Sequence, residues 1–177
     1  MISKITCPLC NSTNGSKFYK DKSREYFSCL SCDFVFVPGA YHLSEVEEKS
    51  RYDTHNNDPH DHRYRYFLSQ LLVPLLEKIP KKSNGLDFGS GPGPTLSLML
   101  EECGHSMDLY DKFYANNNYV FEKKYDFITA TEVLEHLSEP MSEISRLIEM
   151  LNNQGNLAVM TQILTPQINF SSWYYKN

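Results

Sequence analysis

The sequence predicts an α/β protein with a mostly parallel sheet, preceded by a small cysteine-bound ribbon. Three observations carry that prediction. Two Cys-x-x-Cys pairs, Cys7/Cys10 and Cys29/Cys32, fall at the start of the chain. A short apolar strand at Gly85–Phe88 runs into the turn Gly89-Ser90-Gly91-Pro92-Gly93, and a helix follows from Thr95. Apolar strand and amphipathic helix segments then alternate up to Thr161. The 177 residues, 41% apolar and 22% charged, suffice for one real core and a small appendage, and exclude a disordered or low-complexity chain. The expected organisation is a zinc ribbon at 1–39, a helical linker or lid at 40–84, and the α/β domain at 85–177.

Charge is uneven along the chain. Residues 1–40 hold five Lys and Arg against three Asp and Glu, residues 41–84 seven of each, and residues 85–177 five against twelve. The net charge of −5 argues against a bulk nucleic-acid coat. No apolar run reaches the ~18–20 residues of a membrane span. Met1–Cys10 lacks the apolar stretch of a signal peptide. A cytoplasmic protein with no membrane partner is expected.

In that setting paired Cys-x-x-Cys reads as a metal site before it reads as disulfides. Two thiolates three positions apart on a tight turn face one ion, and two such turns complete a tetrahedron. Cys7, Cys10, Cys29 and Cys32 are expected to hold a structural zinc, since four thiolates leave no open position for chemistry. A redox pair would need a βαβ context, which residues 1–32 lack. Lys17–Lys20 and Glu25–Ser28 read as two strands joined by Asp21–Arg24. Their aromatics Phe18, Tyr19, Tyr26 and Phe27 serve either as a stacking surface for nucleic-acid bases or as the ribbon's own core, the preferred reading. Cys103, near the end of an apolar helix, reads as a buried small hydrophobe.

Between ribbon and domain, His55, His60 and His62 lie in polar sequence around Pro59, at a spacing that matches no tidy ligand geometry. A solvated loop is the default. Phe67, Leu68, Leu71, Leu72, Leu75, Leu76 and Ile79 then recur at helical spacing, with Pro74 expected to kink the helix or begin a new turn.

The glycine turn decides the ligand class. Strand, glycine turn and helix open a nucleotide-binding βα unit, in which the backbone approaches a ligand closely and the helix N-terminus offers free N–H groups. Pro94 stands where the third glycine of a dinucleotide fingerprint belongs, and no GK[ST] follows for a P-loop. A second strand at His105–Asp111 ends in an acid 24 residues after Asp87. A third strand, Tyr125–Ala130, precedes Glu132-Val133-Leu134-Glu135-His136-Leu137. A helix at Pro140–Leu151, with Ser138 as its N-cap, and a strand at Asn156–Thr161 complete the pattern.

These motifs, in order over residues 85–161, resemble the class I S-adenosylmethionine-dependent methyltransferases. The resemblance implies a Rossmann-like fold with strand order 2-1-4-5. It implies S-adenosylmethionine bound by Asp87, Phe88, Gly89, Ser90, Gly91, Gly93, Asp111 and Glu132, with Asp111 on the ribose and Phe88 or Tyr110 against adenine or the sulfonium. Glu132–Leu137 resembles the EVLEH run of ubiquinone-biosynthesis methyltransferases. Read as a helix, it puts Glu132, Glu135 and His136 on one face, where similar residues hold a divalent ion in some relatives. The whole chain also resembles bacterial methyltransferase-like proteins that carry a four-cysteine ribbon and an RYDxHxN-type segment, as in Arg51–Asn57. That implies Tyr52, His55 and Asn57 as cover over cofactor or substrate, with a polar helix start as the alternative.

The resemblance is shortened in two places. Thirteen residues separate Asp111 from Tyr125, too few for a helix and a third strand. The residues after Thr161 are too few for the usual C-terminal hairpin, so the hairpin is expected to be missing and the edge at 156–161 to be exposed or paired with another copy. Where the acceptor needs a base, His136 and His55 are the candidates. The expected function is methylation of a small molecule or unidentified acceptor. The alternatives are a zinc-ribbon RNA methyltransferase and a non-catalytic adaptor on a degenerate methyltransferase scaffold.

Overall fold

The structure is a computed structural model and describes residues 5–54 and 57–176. The chain forms two compact units, and contacts group it differently from its order in sequence. One unit joins the described residues up to Ser44 with Leu137–Glu143 and those from Gln162 on, and the other joins Glu45–His136 with Ile144–Thr161.

The first unit is built on an antiparallel sheet of β1 (Gly15–Lys20), β2 (Glu25–Cys29) and β3 (Val35–Phe36), in that order. Its hairpin is closed by Asp21, whose carboxylate accepts the N–H groups of Arg24 and Ser23. These bonds hold the Asp21 carboxyl well below the usual range. Cys7, Cys29 and Phe36 form a small core with Ile5, Leu9, Phe27 and Phe34 around it. Phe170, in a short helical turn at Phe170–Ser172, packs edge-on against Phe18, Tyr19 and Tyr26, with ring centroids 4.9, 5.3 and 5.0 Å away. The Tyr26 hydroxyl donates to the Lys176 carbonyl at 3.2 Å. Three of the four ribbon aromatics thus pack against the C-terminal segment, with Tyr26 buried and Phe18 left exposed.

The second unit is a four-stranded sheet of β4 (Asn84–Phe88), β5 (Ser106–Tyr110), β6 (Tyr125–Thr131) and β7 (Leu151–Met160). All pairs are parallel and the order is β5-β4-β6-β7, which is the expected 2-1-4-5. The thirteen residues after Asp111 form no strand. They make a turn closed by the Asp111–Ala115 bridge and a 3-10 turn at Asn118–Glu122 that buries Val120. Among the described residues β5 and β7 are therefore the sheet's edges.

Four helices accompany the strands: α1 (Glu45–Tyr52), α2 (His62–Leu76), α3 (Thr95–Glu102) and α4 (Pro140–Glu149). Leu68, Leu71, Leu72 and Leu75 of α2 pack with Leu96, Met99 and Leu100 of α3 over Phe127. Leu147 of α4 is fully buried as well.

Several boundaries differ from the sequence reading. α2 begins earlier, because Asp61 caps it by accepting the Arg63 N–H at 2.8 Å, and it carries Pro74 in its last turn. α4 stops at Glu149, since Leu151 already pairs with Tyr125 as the first residue of β7. β7 then makes an excursion, with Gln154 at φ 65, before Asn156 resumes pairing opposite Phe127. Cys103 is exposed, not buried. It is the C-cap of α3, where the chain leaves the helix toward Gly104 and carries the thiol off the packed face.

Candidate active site and metal centre

The two Cys-x-x-Cys turns are built alike. Asn11 and Asp33, at φ 57 and 59, each donate an N–H to the carbonyl of the first cysteine of their turn at 2.9 Å. Cys7 and Cys29 return their own N–H groups to Ser12 and Phe34, also at 2.9 Å. Asn and Asp are the residues that take left-handed backbone most readily after glycine. That shared feature at the position after each pair is a signal the sequence reading did not use.

The four sulfurs lie within 4.8 Å of one another, with Cys7 and Cys32 at 3.8 Å and Cys10 and Cys29 at 3.5 Å. Four thiolates around one zinc at about 2.3 Å stand about 3.8 Å apart, so the set fits a tetrahedral ion. Burial raises the Cys7 and Cys32 thiols. At Cys29 burial acts the same way but is outweighed by N–H groups of Ser31 and Cys32 and by the Cys10 thiol, which bring it down to about 6.

The glycine turn leaves β4 with Gly89 and Gly91 at φ 76 and 64. Gly89 has a second constraint: a Cβ there would lie 2.4 Å from a Val133 methyl, so the EVLEH run packs directly on the turn. The Ser90 hydroxyl is buried and has no hydrogen-bond partner among the described residues. α3 opens behind Pro94 with no side chain capping its first N–H groups.

Asp111, at the end of β5, grips this turn. Its Oδ2 accepts the Gly91 N–H at 3.0 Å, and its Oδ1 accepts the N–H groups of Phe113 at 2.8 Å and Tyr114 at 3.1 Å. Asp87 is buried beneath, with its two oxygens accepting the hydroxyls of Ser97 and Thr129, each at 2.8 Å. It thus ties β4, α3 and β6 together. Burial pushes its carboxyl up, against those two hydroxyls, and the charge of Asp111 adds to the rise. Ser97 and Thr129 were missed by the sequence reading, because only the fold brings them to Asp87.

Phe88 is buried, with its ring stacked on Tyr110 at 5.5 Å and the Arg146 guanidinium 5.9 Å from its centre. Its ring is part of the core. Gly93 is spanned closely by Asn57, whose carbonyl oxygen lies 2.2 Å from where a Cβ would be.

The expected helical face of Glu132, Glu135 and His136 does not form. Glu132 takes φ 56 and donates its N–H to Met160, and only a 3-10 turn, Leu134–His136, follows. Eight residues, Glu132–Glu139, separate β6 from α4, and with the first of them left-handed the EVLEH run forms only that 3-10 turn. The three side chains do not gather, and among the described residues the four cysteines are the one group able to share an ion. Glu135 instead accepts the Thr161 hydroxyl at 3.2 Å. His136 is exposed, with Tyr52 edge-on to its ring at 5.9 Å. His55, the other candidate base, lies outside the described residues.

A family model described as a methyltransferase domain matches residues 60–176. The chain belongs to that family. No curated protein matches it. Membership in the methyltransferase family agrees with the parallel sheet and with the Gly89–Gly93 turn that follows β4. No helix among the described residues is long and apolar enough to cross a membrane.

Proposed function

We propose that the chain is an S-adenosylmethionine-dependent methyltransferase of a small-molecule or unidentified acceptor, with a structural zinc on Cys7, Cys10, Cys29 and Cys32. The observation that carries the reading is the Asp111 carboxylate at the end of β5, bonded to Gly91 in the glycine turn after β4. Ligands of open parallel sheets bind at the carboxyl ends of such strands. Asp111 would take the ribose hydroxyls. Gly89, Ser90, Gly91 and Gly93 would carry the rest of the cofactor, and the orphan Ser90 hydroxyl is a buried polar group awaiting a partner. Glu132, just past the end of β6, would add its carboxylate.

The cofactor supplies an electrophilic methyl group, so the protein's work is positioning and needs no covalent intermediate. His136 is the candidate base for an acceptor that must lose a proton. The packing of Phe18, Tyr19 and Tyr26 on Phe170 favours a small acceptor over RNA, since these rings are the ones a base would stack on. A four-thiolate zinc site suits a reducing, cytoplasmic setting.

Calorimetric titration of the full chain with S-adenosylmethionine tests the reading. Binding with unit stoichiometry is expected, and its absence would leave the adaptor alternative. Retention on RNA that persists at rising salt would move the acceptor to RNA.

A further inference from the structure

Besides Asp111 and Val133, the glycine turn is approached by Asn57, from the segment before α2. The Asn57 carbonyl fills the space beside Gly93 that any side chain would need, and it accepts a hydrogen bond from the Thr95 hydroxyl at 3.4 Å. Its side-chain nitrogen lies 3.5 Å from the Cβ position of Gly91. Asp111 holds the same Gly91 through its N–H. A ligand laid along the turn therefore meets a carboxylate from β5 and a carboxamide from the segment before α2.

We infer that Asn57 is a cofactor-positioning residue whose carboxamide pairs with the amino-acid end of S-adenosylmethionine, an assignment that rests on the proposed cofactor. The two groups suit opposite ends of that molecule. A carboxylate accepts from ribose hydroxyls and repels another carboxylate, so Asp111 fits the nucleoside. A carboxamide offers a donor for a carboxylate and an acceptor for an ammonium group, which together make the amino-acid end. α3, eight residues long, begins beside Asn57 at Pro94 and Thr95 with no side-chain cap, so its positive end favours the same carboxylate. On this assignment the third glycine of the turn exists to admit Asn57, which in turn delivers the carboxamide.

The test compares two stable ligands on the full chain by calorimetry. S-adenosylhomocysteine carries the amino-acid end, and 5′-methylthioadenosine has the same nucleoside without it. Asn57→Ala should weaken S-adenosylhomocysteine about tenfold or more, the scale of a hydrogen bond to a charged group, and leave methylthioadenosine within about twofold. Asn57→Asp should weaken S-adenosylhomocysteine further, because two carboxylates would then face each other. Equal loss of both ligands would overturn the assignment in favour of a residue that only supports the turn. Unchanged or tighter binding of S-adenosylhomocysteine would overturn it in favour of a plug. If the unaltered chain binds neither ligand, the cofactor reading falls and this assignment with it. Melting temperatures of both variants near that of the parent would show that folding is not what changed.

Discussion

Asp111 and Gly91, 20 residues apart, are joined by a hydrogen bond from the Gly91 N–H to Asp111 Oδ2 at 3.0 Å. The bond fixes the glycine turn after β4 against the end of β5. Since Oδ1 is already held by Phe113 and Tyr114, the carboxylate cannot swing away. Oδ2, which accepts only the Gly91 N–H among these bonds, keeps a lone pair for a ligand hydroxyl.

Removing this carboxylate should therefore damage binding twice, by deleting a ribose partner and by loosening the turn. Asp111→Ala is expected to weaken S-adenosylmethionine by about 1.5–3 kcal/mol, the scale of hydrogen bonds to a charged group. Gly91→Val should abolish binding, because φ 64 is hostile to a β-branched residue and the side chain would occupy the ligand's approach. Calorimetry checks both, and parent-like affinity in the two variants would move the site elsewhere.

The metal centre and the C-terminal segment should respond together. Cys29 ends β2, and β2 carries Tyr26, one of the three rings that hold Phe170. Trp173, the only tryptophan, lies 6.0 Å from Phe170 and donates its ring N–H to Gln162. The chain should contain one zinc by elemental analysis, lost in a Cys7→Ser/Cys29→Ser double variant. Removing the metal, or making Phe170→Ala, should shift Trp173 emission to longer wavelength and expose the segment after Gln162 to protease. Zinc retained by the double variant would refute the ligand set, and unchanged emission on metal loss would uncouple the segment from the ribbon.

What was legible in the sequence was what local chemistry dictates. Paired cysteines, a glycine turn after an apolar strand and an acid ending the next strand are each fixed within a few residues. The strand order 2-1-4-5 followed from a resemblance that rests on those same motifs. The missed features depend on partners far away in the chain. Phe170 reads as one more aromatic in an uncharged stretch until the fold brings Phe18, Tyr19 and Tyr26 around it. Ser97 and Thr129 read as ordinary core-lining polar residues until Asp87 is placed between them. The EVLEH run looks helical by spacing, yet Glu132 must turn left-handed so that Val133 can reach Gly89 and its own N–H can reach Met160.

β7 offers a third test. Its outer edge is unpaired among the described residues, and Leu151–Met160 contains no charged side chain. Edges of soluble sheets are normally guarded by charge, proline or cover. Ala158 and Met160 pack toward α2, whereas Val159 points to the other face and is exposed. We propose that this edge pairs with a second copy, which predicts a sedimentation coefficient that rises with concentration. Val159→Lys should suppress the rise without touching the core. A concentration-independent monomer before the substitution would refute it.

Asp87 carries the last prediction, which concerns pH. Burial raises its carboxyl above the ordinary value of 3.8, although Ser97 and Thr129 both donate to it. The folded chain therefore holds this proton more tightly than the unfolded chain does. Its contribution is fully present below the ordinary carboxyl value and is lost as pH rises through the raised one. At neutral pH Asp87 is thus a group the fold would be more stable without as a charge. Asn keeps the shape, accepts one hydroxyl and donates to the other, so Asp87→Asn should melt higher at pH 7. Each kcal/mol recovered is worth about 2–4 °C in a chain of this size. The gain should shrink as pH falls through the raised value and vanish well below 3.8, where the parent carboxyl is neutral in both states. Thermal melts of parent and variant across that range check the sign. A variant that melts lower at pH 7 would mean that the two hydroxyl bonds to the charged form outweigh the cost of burying it.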